Sequence, residues 1–331
     1  MQYKNVTVIG NGGMGTVCSM ILCEKDMDVK MWGYSADELH EMKEARENVK
    51  YLPGYPLPAS LRLEANAELA FEKADLIVNA VPCQFVRQIF KQLKSSVPDS
   101  VPVASVTKGF EKKTLLRPTQ ILEELLGQRN YVVLSGPTIA EELAKKLPAS
   151  ITAASTNNKA AELVQQAFSC DYLRVYTNND VLGVELAGAV KNVIAIAAGI
   201  IDGIGLGDNA KAALISRGLA EICRLGEKMG ARPETFSGLS GLGDLVTTCI
   251  SSMGRNRGFG ERIGKGMSAD AALAATESVI EGAATCASVL HLAQNHAIDM
   301  PITQAVNSVI NGQLTAKQAI HELMTRSLKP E

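Results

Sequence analysis

The chain has 331 residues, of which 46% are hydrophobic and 21% charged, enough apolar material for two globular domains of about 150 residues each. This composition excludes an intrinsically disordered chain and a fibrous repeat. The 33 Lys plus Arg against 35 Asp plus Glu give a net charge of -2, so we expect no general affinity for nucleic acid or an anionic membrane surface.

The cysteines and the N-terminal segment bear on the cellular compartment. Seven scattered cysteines without a Cys-x-x-Cys pair argue against a disulfide framework and a zinc site, and four histidines show no metal-ligand spacing, so we expect no metal. The N-terminus lacks the apolar core and cleavage site of a secretion signal. The apolar stretch 193–201 is too short to span a bilayer. We therefore expect a cytoplasmic protein without membrane insertion.

Up to about residue 178, short β-branched or apolar runs alternate with longer amphipathic stretches. This alternation is typical of parallel strands joined by crossover helices, and runs without polar alternation indicate strands covered on both faces. The sequence predicts a doubly wound α/β sheet over residues 1–178. The predicted strands are 6–9, 29–32, 61–63, 76–80, 103–106, 132–134, 150–154 and 173–176.

Beyond residue 178 the strand signals stop. Long Ala- and Leu-rich stretches punctuated by glycine continue to the C-terminus, which predicts an all-α second domain over residues 179–331. Within the first domain, the proline-rich segment 52–58 is interpreted as a loop.

A glycine-rich loop follows the first predicted strand. Residues 10–15 read Gly-Asn-Gly-Gly-Met-Gly and lead into an apolar helix, which is the context of a dinucleotide-binding fingerprint. Gly10 permits the tight turn, Gly12 lets the backbone approach a pyrophosphate, and Gly15 allows the helix to pack on the strand. The helix N-terminus then offers N–H groups to phosphate. A glycine turn without a ligand is the alternative interpretation.

The choice of cofactor depends on the end of the second strand. An NAD-specific site commonly places Asp or Glu there to bind the ribose 2′-hydroxyl. This chain has Met-Trp-Gly-Tyr-Ser over residues 31–35 instead. The missing carboxylate removes the repulsion against a 2′-phosphate, although no arginine at this turn selects it. The sequence therefore favours NADPH, with NAD(H) as the alternative.

Lys191 interrupts the apolar stripe of a long helix predicted from residue 181. The residues one and two turns away are small and apolar, which leaves room for a ligand beside the ammonium. Desolvation there would lower the pKa of this lysine from its usual ~10.4, as a proton carrier requires. The alternatives are a lysine that reaches the surface or one that pairs with a buried carboxylate for structural reasons. Asn192 either orients a ligand or satisfies a backbone group.

A second glycine-rich turn, at residues 238–243, leads into an apparent helix. Asp244 is interpreted either as the N-cap of that helix or as the counter-charge of Lys191. Thr248 lies one turn further on and faces the same way, so it would offer a hydroxyl to a substrate. In the basic loop 254–258, the guanidinium of Arg255 suits bidentate binding of phosphate, and a solvated basic turn is the alternative.

Two strand ends complete the candidate site. Lys108 follows the strand at 103–106, and the next strand ends in Ser-Gly-Pro-Thr at 135–138, where open α/β sheets bind ligands. No hydrolase nucleophile motif is present, and Cys249 is interpreted as a packed thiol. By elimination, the proton chemistry falls to lysine.

Together these motifs resemble NAD(P)-dependent glycerol-3-phosphate dehydrogenases of the bacterial soluble type. The resemblance covers residues 6–303 and implies a Rossmann domain, a helical C-terminal domain like that of 6-phosphogluconate dehydrogenase, and a homodimer. It implies reversible reduction of dihydroxyacetone phosphate to sn-glycerol 3-phosphate with NAD(P)H, supplying glycerophospholipid synthesis. The matching motifs are GNGGMG, VTKGFE, LSGPT, ELAGAVKNV, GLGDL, GRNR and VIEG.

The resemblance also implies roles for individual residues, with Lys191 as general acid and base. The catalytic set is Lys191, Lys108, Asp244, Asn192 and Thr248. The substrate contacts are Lys108, Gly136, Thr138, Lys191, Asp244, Gly254, Arg255 and Asn256. The cofactor contacts are Gly10, Gly12, Gly13, Met14, Gly15, Tyr34, Lys108, Ala140, Arg255, Val279 and Glu281. Many relatives have serine or alanine followed by an aromatic residue at positions 13–14, and serine at 254.

Two other functions stay open on the sequence. One is a 2-hydroxy-acid or sugar-acid dehydrogenase of the same fold, which would not need the Gly-Arg-Asn-Arg segment in this form. The other is a non-catalytic NADPH-sensing protein, which would have no reason to carry Lys108, Lys191 and Asp244 in one chain.

Overall fold

The computed structural model describes residues 3–276 and 279–328, and the chain forms two compact units. The first unit comprises Met1–Lys108 and Leu116–Glu185, and the second comprises Gly109–Leu115 and Leu186–Glu331. The ranges 1–178 and 179–331 stay a prediction of where the domains divide.

The first unit is built on an eight-stranded sheet, and every strand predicted from the sequence belongs to it, with ends shifted by one or two residues. In chain order, the strands of this unit are β1 (Asn5–Ile9), β2 (Asp28–Trp32), β3 (Glu47–Asn48), β4 (Leu52–Pro56), β5 (Arg62–Glu64), β6 (Leu76–Asn79), β7 (Val103–Ser105), β8 (Tyr131–Ser135), β9 (Ala149–Ala154) and β10 (Leu173–Asn178).

The sheet has the order β10-β9-β8-β7-β6-β1-β2-β5. Neighbouring strands are parallel except β8 and β9, which pair antiparallel and so make the sheet mixed rather than all-parallel. The strand order reverses between β1 and β6. In open α/β sheets this switch point opens the crevice in which ligands bind.

Helices cover both faces of this sheet. On β6, Leu76 and Val78 belong to one hydrophobic cluster and Ile77 belongs to another, as expected when alternate residues of a strand point to opposite buried faces. The predicted doubly wound architecture is confirmed. The helices of this unit are α1 (Gly13–Glu24), α2 (Ala36–Ala45), α3 (Ala67–Phe71), α4 (Cys83–Leu93), α5 (Pro118–Leu126), α6 (Ala140–Ala144) and α7 (Asn158–Phe168).

The interpretation of segment 52–58 as a loop is wrong. Its first five residues form β4, which pairs antiparallel with β3 in a separate two-stranded sheet. Gly54 lies between the two prolines of this strand and has a positive φ of 86°. Proline is tolerated at sheet edges and irregular positions, and the register shift between Glu47 and Asn48 is such an irregularity.

Helices are the only regular secondary structure among the described residues of the second unit, as the sequence predicts. A π-helical turn, Leu239–Gly243, precedes α11. The helices that follow the sheet in the chain are α8 (Val181–Ile204), α9 (Gly207–Met229), α10 (Pro233–Ser237), α11 (Asp244–Ile250), α12 (Arg255–Gly264), α13 (Ala269–Ala274), α14 (Glu281–Asn295), α15 (Pro301–Ile310) and α16 (Ala316–Met324).

Helix α8 is long and apolar enough, by length and composition, to cross a membrane. The purely apolar stretch 193–201 is only part of this helix, which also contains Lys191 and continues beyond the stretch at both ends. Its apolar window is 100% buried inside the protein. A wholly buried apolar helix is typical of a protein core, and this one gives no support for a membrane span.

Helices α8 and α12 cross at a contact that requires glycine. A Cβ added at Gly199 would lie 1.9 Å from the carbonyl oxygen of Arg257, and one at Gly260 would lie 2.0 Å from that of Ile196. On the same face, Nη2 of Arg257 lies 2.5 Å from a carboxylate oxygen of Asp202 on α8. The first turns of α12 are thus held directly against the backbone of α8.

A buried carboxylate joins α9 to the start of α15. Glu221 is 1% exposed and accepts hydrogen bonds from the backbone N–H of Ile302 at 2.6 Å and of Thr303 at 3.2 Å, and from the Thr303 hydroxyl at 2.9 Å. These bonds satisfy donors that a helix N-terminus leaves unpaired. Burial nevertheless raises the pKa of Glu221, because desolvation of the carboxylate outweighs the hydrogen bonds that favour it.

Candidate functional site

Lys191 lies inside the second unit and not at its surface. Its side chain is 7% exposed, and Nζ lies 2.6 Å from Oδ1 of Asp244, whose side chain is 3% exposed. The ammonium also donates to the hydroxyl of Thr248 at 2.5 Å. The interpretation of Lys191 as a surface lysine is therefore wrong, and the predicted pairing with Asp244 is present.

The local structure around Asp244 explains why its carboxylate is available to the lysine. The π-helical turn before it ends at Gly243, which is the N-cap of α11, so Asp244 is already the first residue of that helix. No side chain caps the N-terminus of α11, which makes the N-cap interpretation of Asp244 wrong. Thr248 donates its own hydroxyl proton to the carbonyl oxygen of Asp244 at 2.6 Å, which turns a lone pair toward the lysine.

Asn192 contributes a buried amide beside Lys191. It is 4% exposed, and its Nδ2 has no hydrogen-bond partner in the part of the chain that the structure describes. A buried donor without a partner typically costs about 1–3 kcal/mol, so such groups call for a reason. Nδ2 donates to no backbone carbonyl of the described residues, and its role in ligand binding stays a prediction.

The prediction of a loop over residues 254–258 is wrong. Gly254 is the N-cap of α12, and Arg255 and Asn256 are the first residues of that helix, whose N-terminus has no side-chain cap. Arg255 is exposed and forms no hydrogen bond or ion pair with a described residue. Arg257 turns away to Asp202. A guanidinium beside uncapped helix N–H groups favours an anion.

Asn256 connects this helix N-terminus to the start of α14. The residue is 9% exposed, and its Oδ1 accepts a hydrogen bond from the backbone N–H of Gly282 at 2.9 Å. The adjacent Glu281 is the first residue of α14 and is half-buried, while Val279 is 37% exposed. Asn256, a predicted substrate contact, is thus bonded to Gly282, which lies close in the chain to the predicted cofactor contacts Val279 and Glu281.

In the first unit, the glycine loop has the geometry predicted for it. Gly10 has a φ of 108°, and a Cβ at Gly15 would lie 2.0 Å from the Gly10 carbonyl oxygen. A Cβ at Gly12 would meet nothing within 4 Å, and no side chain caps α1, which begins at Gly13. Open space and uncapped N–H groups suit a dinucleotide pyrophosphate.

Four further predicted cofactor contacts lie in this loop, beside it, or just beyond β2. A Cβ at Gly13 would lie 2.8 Å from the carbonyl oxygen of Tyr51 and 3.6 Å from Cβ of Ala140, which explains why this chain has glycine there. Met14 packs against the hydrophobic core. Tyr34, just beyond β2, is 65% exposed.

Lys108, Gly136 and Thr138 come together beyond the carboxyl ends of β7 and β8. The Lys108 ammonium donates to the Gly136 carbonyl oxygen at 3.2 Å, and the Thr138 hydroxyl donates to the same oxygen at 3.1 Å. A Cβ at Gly136 would lie 2.9 Å from Cα of Ile151, so the backbone passes too close for a side chain. These three predicted substrate contacts form one group within the first unit.

Sequence reasoning missed Asn79, the last residue of β6. Its Nδ2 donates to the hydroxyls of Ser105 and Thr107, each at 3.0 Å, and its Oδ1 accepts from the N–H of Val81 at 3.2 Å. The network fixes the backbone just before Lys108 and the segment that faces Gly10. A single amide in an otherwise apolar strand was the available signal.

A carboxylate near the end of β2 was missed as well. Glu38 on α2 accepts a hydrogen bond from Nδ2 of Asn11 in the glycine loop at 2.9 Å and forms an ion pair with Lys50 at 2.8 Å. The hydrogen bonds from Lys50 and Asn11 lower the pKa of Glu38. Residues 31–35 carry no carboxylate, as the sequence shows, but the fold brings Glu38 of α2 close to this turn through Asn11. The preference for NADPH stays a prediction.

Cys249 and a metal centre are the other candidates for chemistry in this chain. Cys249 is fully buried, and burial raises the pKa of its thiol to about 12, so it is a packed thiol as expected. Among the described residues, no group of three or more His, Cys, Asp or Glu side chains could hold a metal ion.

Comparisons with known proteins identify the family of the chain. Residues 5–161 match the family model described as NAD-dependent glycerol-3-phosphate dehydrogenase N-terminus, and residues 180–321 match the corresponding C-terminus. A glycerol-3-phosphate dehydrogenase [NAD(P)+] of Bacillus velezensis is 45% identical over 98% of this chain and 94% of its own. One of Pelotomaculum thermopropionicum is 44% identical over 97% of this chain and 93% of its own.

A solved structure shows the same fold over nearly the whole chain. The crystal structure of glycerol-3-phosphate dehydrogenase from Coxiella burnetii is 38% identical, covers 98% of this chain and 99% of its own, and has a TM-score of 0.94. The chain belongs to the NAD-dependent glycerol-3-phosphate dehydrogenase family and is an NAD(P)-dependent oxidoreductase.

Proposed function

We propose that the enzyme reversibly reduces dihydroxyacetone phosphate to sn-glycerol 3-phosphate with NAD(P)H, using Lys191 as general acid and base. The observation that carries this proposal is the buried ammonium held at 2.6 Å by Asp244 and at 2.5 Å by Thr248. The names of the relatives support the substrate and the cofactor.

The nicotinamide, when bound, supplies the hydride that reduces the substrate carbonyl carbon. Lys191 donates a proton to the carbonyl oxygen as negative charge develops on it, and in the oxidation of glycerol 3-phosphate the neutral amine takes that proton back. General acid catalysis of this kind contributes typically ~10²- to 10⁴-fold. Asp244 keeps the ammonium charged and in place, and Thr248 fixes its direction.

The start of α12 binds the substrate phosphate in this proposal. Arg255 offers a guanidinium that pairs with none of the residues the structure describes, and the helix N-terminus offers backbone N–H groups. Because Oδ1 of Asn256 is already occupied by the N–H of Gly282, its Nδ2 is the group that donates to the phosphate. Binding energy from this remote group can be used to orient the reacting carbon.

Asn192 polarises the substrate oxygen through its unpartnered Nδ2, which gives that buried donor a partner only when substrate is present. Lys108, Gly136 and Thr138 are proposed as further substrate contacts. The glycine loop, Tyr34 and Ala140 are proposed as cofactor contacts, together with Arg255, Val279 and Glu281. A homodimer, a cytoplasmic location and the supply of glycerophospholipid synthesis belong to the same proposal.

A spectrophotometric assay tests the reaction. We expect oxidation of NADPH or NADH that depends on dihydroxyacetone phosphate, and Lys191→Ala to lower kcat at least about 100-fold with little change in cofactor affinity. Lys265→Gln is the matched control, since it removes a lysine from an exposed ion pair with Glu261 on α12. Activity with a 2-oxo acid but not with the triose phosphate would favour the 2-hydroxy-acid alternative. An active Lys191→Ala enzyme would refute the assignment of the proton donor.

A further inference from the structure

Three side chains form a charged cluster beside the glycine loop of the first unit. Glu38 bridges the other two, with one carboxylate oxygen 2.9 Å from Nδ2 of Asn11 and the other 2.8 Å from Nζ of Lys50. Lys50 comes from the turn between β3 and β4 and lies 5.1 Å from the ring centroid of Tyr51. The side chains of Lys50 and Glu38 are 49% and 30% exposed, so a ligand can reach both.

The packing of Asn11 places this cluster at the end of β2. A Cβ added at Gly33, the residue after β2, would lie 3.1 Å from Cγ of Asn11 and 2.9 Å from a side-chain carbon of Leu39. The Asn11 side chain therefore lies against the strand end, and it holds the Glu38 carboxylate there. In dinucleotide-binding sheets this strand end faces the 2′ position of the adenosine ribose.

The two charges favour different cofactors. A carboxylate at the ribose accepts a hydrogen bond from the 2′-hydroxyl of NAD(H) and repels the 2′-phosphate of NADPH. A lysine ammonium binds a phosphate as a point charge. In this chain the Lys50 ammonium is paired with the Glu38 carboxylate, so the pair has no net charge. The pair therefore does not repel the 2′-phosphate of NADPH, and it leaves a carboxylate for the 2′-hydroxyl of NAD(H).

We propose that Glu38 and Lys50 together determine the cofactor choice of this enzyme, with Glu38 binding the 2′-hydroxyl of NAD(H) and Lys50 binding the 2′-phosphate of NADPH. The inference deepens the proposed function and rests on its use of a nicotinamide cofactor. It also explains how this chain accommodates a 2′-phosphate without an arginine in the turn after β2.

Calorimetric titration of the free enzyme with NADPH and with NADH tests the proposal without relying on turnover. Lys50→Gln removes the cation and leaves Glu38 uncompensated, so we expect NADPH to bind about fivefold or more weakly while NADH changes less than about twofold. Glu38→Gln has the opposite effect, with weaker NADH and tighter NADPH. Lys50→Arg keeps the charge, and we expect it to retain NADPH affinity. In the native enzyme, added salt lowers the affinity for NADPH more than that for NADH.

The matched control is Arg62→Gln. Arg62 forms an exposed ion pair with Asp28 at the amino end of β2, so this change removes one cation from the same sheet at the opposite end of the strand. We expect it to leave both affinities within about twofold, as for a screened surface charge. Equal loss of NADPH and NADH in Lys50→Gln, or unchanged selectivity in both variants, would overturn the proposal. If the native enzyme bound neither cofactor, the proposed function itself would fail.

Discussion

Replacing Asp244 by Asn removes the counter-charge of Lys191 and keeps the size of the side chain. Both members of the pair are almost fully enclosed, with side chains 7% and 3% exposed, so water cannot replace the lost carboxylate. Breaking a buried pair by removing one partner typically destabilises a protein by about 3–5 kcal/mol. Thr248 still accepts one hydrogen bond from the ammonium. We therefore expect the lower end of that range, about 3 kcal/mol.

The same change should alter the pH dependence of the reaction. Without Asp244 the ammonium loses its proton at a lower pH, because desolvation is no longer offset by an opposite charge. Reduction of dihydroxyacetone phosphate needs the protonated lysine, so kcat of Asp244→Asn should fall at a lower pH than kcat of the native enzyme. The affinity for the reduced cofactor, measured separately, should change little.

Denaturant titrations and kcat–pH profiles of both proteins provide the two measurements. The double variant Lys191→Met with Asp244→Asn serves as the control, because it removes the stranded charge and should recover most of the lost stability. A loss below about 0.5 kcal/mol in the single variant, which is typical of exposed pairs, would refute the reasoning, as would an unmoved pH profile.

Three further predictions concern substrate binding, packing and a buried carboxylate. Arg255→Ala should raise KM for dihydroxyacetone phosphate at least about tenfold and leave kcat less affected, and an unchanged saturation curve would count against its phosphate role. Gly260→Ala should lower the melting temperature by forcing a methyl group to within 2.0 Å of the Ile196 carbonyl oxygen, at a cost of about 1–3 kcal/mol. The control Gly258→Ala, on the same helix with nothing within 4 Å, should instead stabilise the protein slightly or leave it unchanged. Because burial raises the pKa of Glu221, the folded protein holds that proton more tightly than the unfolded chain, so the free energy of unfolding falls as pH rises from the ordinary glutamate pKa to the raised one. Glu221→Gln should remove this slope in denaturant titrations across that pH window, and a slope that persists would assign it to another group.

Local patterns predicted the elements whose formation depends on local chemistry. The alternation of β-branched runs with amphipathic stretches predicts the strands of the large sheet. Strand direction has no local sequence signal, so the sequence does not predict the antiparallel pairing of β8 and β9. Because Gly254 and Gly258 are poor helix formers, the sequence predicts a loop where the first turn of α12 lies. Contact with α8 stabilises that helix, and its glycines are needed for the close approach.

In the candidate site too, the sequence predicts features that depend on adjacent residues and misses those that depend on tertiary contacts. The glycine loop was predicted together with its geometry, since strand, turn and helix are adjacent in the chain. The choice between N-cap and counter-charge for Asp244 depended on a contact with a residue 53 positions away, which no local pattern contains. Glu38 was missed because tertiary packing brings it back to the strand end through Asn11.

The glycine contact between α8 and α12 constrains how this unit can change. Where the backbones of Gly199 and Gly260 touch the opposite helix, no side chain lies between them that could rotate to absorb a displacement. We therefore expect the first turn of α12, which carries Arg255, and helix α8, which carries Lys191, to move as one body. In the proposed reaction, this backbone contact sets the distance between the group that binds the substrate phosphate and the group that protonates its carbonyl oxygen. A substrate of different length would therefore require a change in how α8 and α12 pack, and exchanging side chains that contact the substrate would not be enough.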